Sequence, residues 1–266
     1  ADFNEAEQRL RTGEYSDAIE LATTALVRPG ARSEDWSLLL LQGLMATGKY
    51  PEADKALTNA LAKNPRSIRL RWNGQEIARY NNDPSRARDY LDEIRNLVSS
   101  RPTFYSDPPE FLIVGKVALA SGADPKDVLS RVFDPVQKSA PELRDIYLAR
   151  GELALSKHDF DLAAKAYASG LKQHDDDADM HYGMALAFSE GDREQMGKSL
   201  EAALKRNPNH VPSLLLVANH KIDAEDYEAA NKLLDEVGKV NPWHPEAWAY
   251  RAVLSHLKND TDGEAA

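Results

Sequence analysis

A short phrase recurs along this chain at a nearly constant interval. Tyr50-Pro-Glu-Ala53, Phe160-Asp-Leu-Ala163 and Tyr227-Glu-Ala-Ala230 each place an aromatic residue three positions before an alanine. Ala53 and Ala87 are 34 residues apart, Ala163 and Met196 are 33, Met196 and Ala230 are 34, and Asn207-Pro208 and Asn241-Pro242 are again 34 apart. A period near 34 residues with helical punctuation predicts stacked two-helix units, because one such unit cannot bury its apolar face without a neighbour. The expected fold class is therefore all-α, an α-solenoid in which each unit packs only on the next.

Between Arg144 and Asp177 the pattern is fullest: Tyr147, Arg150, Gly151 and Ala154, then Phe160, Ala163, Tyr167 and Gly170. This segment resembles the tetratricopeptide repeat, whose helix A carries Trp, Leu, Gly and Tyr at those places and whose helix B carries Tyr, Ala, Phe and Ala. Arg150 departs from the family's leucine. The resemblance implies a right-handed superhelix of about seven units, with small residues where helices cross closely and aromatics in the wider gaps.

The unit boundaries follow from turn and helix-stop residues. Gly13-Glu-Tyr15, Gly48-Lys-Tyr50, Asp83-Pro84, Gly122-Ala-Asp124-Pro125, His158-Asp-Phe160, Gly191-Asp192 and Glu225-Asp-Tyr227 mark successive turns into helix B. Pro65, Pro208 and Pro242 close helices, and Asp124-Pro125 pairs an N-cap with a first-turn proline. Ala87 and Ala163 are 76 residues apart, eight more than two periods, and the excess is assigned to the loop-like stretch Arg101 to Pro109. Pro135 falls inside the fourth helix B, which is expected to kink or restart at Asp134-Pro135. The expected organisation is three regular units over residues 1–100, a proline-rich insertion with an irregular fourth unit over 101–141, and regular units with a truncated eighth over 142–266.

Composition narrows the function classes. With 33 Lys and Arg against 43 Asp and Glu, the net charge of −10 and the lack of any basic run argue against nucleic acid, which demands a positive stripe. The densest basic stretch, Arg66 to Arg88 in the third unit, reads as a solvated helix surface. The longest apolar run, Leu38 to Leu41, falls far short of the roughly 20 residues of a membrane span. With no cysteine there is no disulfide or thiol chemistry, and the compartment stays open between the cytoplasm and export from a bacterial cell.

Strings that mimic catalytic or metal sites each lack an essential member. Gly43 to Lys49 matches a phosphate-binding loop until Tyr50, which replaces the required Ser or Thr. Asp175, Asp177 and Asp179 have calcium-loop spacing, but Met180 and Leu186 stand where Gly and Glu belong, so Asp177 reads as a helix N-cap. His174, His181, His244 and His256 have no ligand spacing. The expectation is no enzyme, no cofactor and no metal.

What remains is binding, and the family resemblance indicates where. Its helix A positions two, five, nine, twelve and thirteen face a concave groove; on the fifth unit these are Asp145, Leu148, Glu152, Leu155 and Ser156. The sixth unit supplies Asp179, Tyr182, Leu186, Ser189 and Glu190, and the seventh Pro212, Leu215, Asn219, Ile222 and Asp223. The groove candidates are Asp145, Leu148, Glu152, Asp179, Tyr182, Asn219 and Asp223, with the leucines open to a second role in packing. Carboxylate-clamp lysines are missing at these positions, so the implied partner is a protein or peptide that is basic and partly apolar.

The last third, Asn207 to Leu214 and Asn241 to Arg251, resembles repeat arrays of large exported bacterial proteins that carry a metallopeptidase module beyond the repeats. That resemblance implies a substrate-recruiting front end of a larger enzyme as an alternative to a free-standing interaction scaffold; a structural spacer or self-assembly module is the third. Pro245 to Lys258 reads as helix A of an eighth unit, with Trp248 and Ala252 at the family's Trp and Gly places, and Asp262 to Ala266 as the opening of its helix B. An uncapped apolar end is expected there, covered by further helices of a longer parent or by a second copy of the chain.

Overall fold

The computed structural model describes residues 2–28 and 33–257; the expected helix opening at Asp262 to Ala266 lies outside them. Helices pair as antiparallel hairpins along the chain. The first three hairpins are α1 (Phe3–Arg11) with α2 (Tyr15–Leu26), α3 (Ser33–Ala46) with α4 (Tyr50–Lys63), and α5 (Ile68–Tyr80) with α6 (Pro84–Ser100). The fourth is α7 (Pro108–Ala120) with a helix B that runs through α8 (Pro125–Val128), a π-helical turn and α9 (Asp134–Ser139). Next come α10 (Arg144–Ser156) with α11 (Phe160–Leu171), α12 (Ala178–Phe188) with α13 (Arg193–Arg206), α14 (Val211–Asp223) with α15 (Tyr227–Val240), and α16 (Pro245–Leu257).

The turns inside the hairpins share one chemistry. Six of the seven place a residue in the left-handed region, Gly13, Gly48 and Gly122 or Asn82, His158 and Glu225, and the next helix begins almost at once; the turn between α12 and α13 has no such residue. Aspartates then cap the incoming helix: Asp83 accepts from the Arg86 N–H, Asp159 from Leu162, Asp192 from Gln195 and Asp226 from Ala229. Such caps are each worth about 1 kcal/mol and fix where helix B starts. Asp124 accepts from Lys126 with Pro125 in the first turn, as the sequence predicts.

Small residues let the helices close. Ala163 and Ala230 are fully buried. A Cβ on Gly151 would meet the Tyr167 ring at 2.2 Å, and one on Gly183 would meet the same ring at 2.3 Å. Tyr167 on α11 is thus clasped by α10 of its own unit and α12 of the next, the alternation of large and small that sets hairpin spacing.

The two irregularities resolve differently from each other. The eight extra residues lengthen α6 and form a short 3-10 turn, Pro102–Tyr105. Tyr105 is buried with Ile68, Ile94, Ile113 and Val117, and its hydroxyl donates to the Arg66 carbonyl at 3.0 Å. At Pro135 the backbone does not restart: Leu129–Phe133 widens into a π-helical turn and runs on into α9. The wider turn places the proline, which lacks an N–H, where the helix needs no donor from it.

Candidate functional site: the inner hollow and its seam

The chain's two ends meet. Asn207 and Asn241, each 3% exposed, follow α13 and α15. Asn207 Nδ2 donates to the Tyr15 hydroxyl at 3.0 Å, and Asn241 Nδ2 donates to the Tyr50 hydroxyl at 3.0 Å, in both cases across more than 190 residues of sequence. The oxygens of both amides face Gly13 and Gly48, where a Cβ would stand 2.2 Å away. Both glycines are needed twice, for their positive φ and for this close approach. Two successive hairpin turns of the first units therefore dock on two successive Asn-Pro turns of the last, and the superhelix closes on itself along a seam.

Because the ends meet, side chains of helices far apart in sequence come close across the inside of the closed superhelix, its hollow. Tyr80 on α5 feels the charge of Glu246 on α16, Tyr15 that of Asp179 on α12, and Tyr182 on α12 that of Glu246. These side chains belong to helices remote in sequence yet share one interior. Glu152 and Asp179 are exposed, yet neighbouring protein still desolvates their carboxyls. Desolvation pushes Glu76 and Glu152 above the usual carboxylate range; Arg79, and Lys116 on α7, pull Glu76 back in part, and Lys116 and Arg144 do so for Glu152. Lys116 also lies 5.8 Å from the centre of the Trp72 ring.

Beside Glu152 runs a polar chain across three units. Arg144 on α10 bonds Asp177, which is 1% exposed, with one contact at 3.1 Å, and also bonds Asp179. Asp179 accepts from His210 Nε2 at 3.0 Å, and His210 Nδ1 accepts from the Ser213 hydroxyl at 2.8 Å and from the Ser213 N–H at 3.3 Å. Burial alone would raise the Asp179 carboxyl; Arg144 and His210 outweigh it and hold the group well below the usual range. The order Asp, His, Ser has the connectivity of a hydrolytic triad, but Ser213 is fully buried in the first turn of α14. Here the imidazole caps a helix and locks neighbouring units in register.

Of the residues predicted for the groove, Asp145, Glu152, Asp179 and Tyr182 gather around this chain, with Asp145 and Asp179 both raising Glu152. Asp223 joins them through Tyr250, whose hydroxyl burial pushes upward with further help from Glu246 and Asp223. Asn219 is half-buried on α14. Leu148 and Leu155 pack against the core around Tyr167, and Leu215 is 2% exposed within the core of the last units, so these three act largely as packing. Glu76, Tyr80, Lys116, Glu246 and Tyr250 were missed. For Glu76 the signal was present, since the spacing of 76 that aligns Ala87 with Ala163 also aligns Glu76 with Glu152.

No helix among the described residues is long and apolar enough to cross a membrane. Helical hairpins stacked in register define a chain of the α-solenoid class. Within it, residues 148–195 match a family described as the tetratricopeptide repeat. No curated protein matches the sequence. Among solved structures the chain is similar to a tetratricopeptide repeat protein from Parabacteroides merdae, at 14% identity over 97% of this chain and 96% of that one, with a TM-score of 0.55. It is also similar to the APC/C hetero-tetramer Cut9–Hcn1, at 13% identity and a TM-score of 0.53; 91% of this chain aligns, spanning 46% of that one. Identities this low speak for the fold alone.

Proposed function

We propose that the chain is a non-catalytic protein-interaction scaffold whose hollow binds a basic, partly apolar, extended peptide. The observation that carries this reading is the pair of exposed glutamates Glu76 and Glu152, whose carboxyls the surrounding protein holds above the usual range although Arg79 and Lys116 at Glu76, and Lys116 and Arg144 at Glu152, offset part of that cost. A cationic side chain entering the hollow relieves that cost, so binding energy comes from charges the fold leaves under-compensated. Tyr80 near Glu76, and Tyr182 and Tyr250 near Glu246, supply ring faces for aliphatic and cationic stems. Asn219 contributes an amide suited to the backbone of an extended chain.

Selection from a random peptide display library tests the reading. Against the wild-type chain, lysine and arginine flanked by apolar residues should be enriched, and Tyr182→Ala and Asn219→Ala should erase the enrichment while helicity by circular dichroism is unchanged. Enrichment of acidic peptides, or the same peptides selected by both variants, would contradict it.

A further inference from the structure

Asn209 and Trp243 hold the same place in the two seam turns, Asn207-Pro208-Asn209-His210 and Asn241-Pro242-Trp243-His244. Asn209 uses its side chain to fasten the seam, donating from Nδ2 to the Gly13 carbonyl at 3.1 Å. Trp243 does not take over that role and is 66% exposed. Its indole borders a cavity of 1060 Å³ whose walls come from both ends of the chain. Tyr50, Pro51 and Tyr80 form one side; Pro242, Trp243 and Pro245 form the other. Tyr50 and Tyr80 are stacked at 4.7 Å, and Tyr80 keeps 37% of its surface exposed.

We infer that this cavity binds a proline-rich segment in the polyproline II conformation. Such a segment has rigid pyrrolidine rings that pack on flat aromatic faces, and its carbonyls are unbonded acceptors with few N–H groups to accompany them. The best receptor is a bank of rings with donors pointing outward. The cavity supplies this: Lys49 Nζ, the Tyr80 hydroxyl and the Trp243 indole N–H are all donors at exposed side chains, beside rings from both walls. An oligosaccharide fits less well, because its hydroxyls also need acceptors. Glu52 is the one carboxylate among the lining residues. The cavity shares Tyr80 with the hollow, but Glu152, Tyr182 and Asn219 are not among its lining residues, and it exists only when the seam is closed.

A blocked decaproline peptide, about 30 Å long at the polyproline rise, tests this by titration against the chain's tryptophan fluorescence. A glycine-serine peptide of the same length and a glucose hexasaccharide serve as comparators. Decaproline should give a saturable change that neither comparator gives. Trp243→Ala and Tyr80→Ala should each weaken it at least tenfold, read for Trp243→Ala by competition with a fluorophore-labelled decaproline, while Tyr182→Ala leaves it unchanged. Trp243 is solvent-exposed, so its variant should keep the wild-type circular dichroism spectrum and melting temperature. The inference is overturned if decaproline does not saturate at millimolar concentration, if either comparator binds as well, or if both variants bind decaproline as the wild type does.

Discussion

The side-chain amide of Asn241 donates to the hydroxyl of Tyr50 at 3.0 Å and fastens the seventh hairpin to the second. Because Asn241 is almost fully buried, Tyr50→Phe leaves its N–H without that acceptor, at a cost of about 1–3 kcal/mol. Asn241→Ala removes both the donor and its need. Urea titration of the two single variants and the double variant should give a coupling energy clearly different from zero. Purely additive effects would mean that the seam is not formed in solution.

Tyr167 is held between two glycines, so either one enlarged should be costly. Gly151→Ala and Gly183→Ala each drive a methyl into the ring, and Ala163→Trp overpacks a fully buried position. Each should destabilise by about 1–3 kcal/mol, more for the tryptophan. Lys172→Ala, on an exposed turn, should change stability by less than about 0.5 kcal/mol. Equal denaturation midpoints for the two kinds of site would overturn the packing described.

Arg144 neutralises Asp177 inside the protein. Arg144→Ala strands a carboxylate that is 1% exposed, which should cost about 3 kcal/mol at neutral pH. Asp179 loses the same partner, and its carboxyl then rises toward its ordinary value. In the wild type the depressed Asp179 group contributes stability that is present above its unfolded pKa of about 3.9 and fades as pH falls through the lower folded value. The variant should lack that acid-side resilience. Thermal melts between neutral and acidic pH would show it, and melting curves that shift in parallel for both proteins would contradict it.

Much of this architecture could be read from the chain. The recurring aromatic and alanine phrase marks helix B because Ala163 and Ala230 sit at contacts that exclude larger side chains, and the aspartates before helix B are caps that declare their positions locally. The seam could not be read in this way. Whether residue 241 meets residue 50 depends on small rotations accumulated over many units, including the π turn at Leu129–Phe133 and the 3-10 turn at Pro102–Tyr105. Asn207 and Asn241 therefore announce themselves only as helix stops, and their second role, as docking amides, is set by residues far away. The hollow was half legible: Glu152, Asp179 and Tyr182 follow from the repeat frame, whereas Glu246 and Tyr80 enter only because the ends converge.

The central claim, that under-compensated carboxylates in the hollow recruit a cationic peptide, has a definite pH signature. Glu76 and Glu152 have raised pKa values, so without ligand they weaken the fold as pH climbs from the ordinary glutamate value of about 4.3 through the raised one. A bound cation favours their ionised form, so affinity should rise over that same window and level off above it. Calorimetric titration of a short peptide of alternating lysine and leucine, across pH and salt concentration, measures this directly. The account predicts affinity that increases with pH through the raised glutamate pKa, falls with added salt, drops at least tenfold in Tyr182→Ala and loses most of its pH dependence in the Glu76→Gln, Glu152→Gln double variant. Binding indifferent to pH and salt, and equal in wild type and variants, would contradict it.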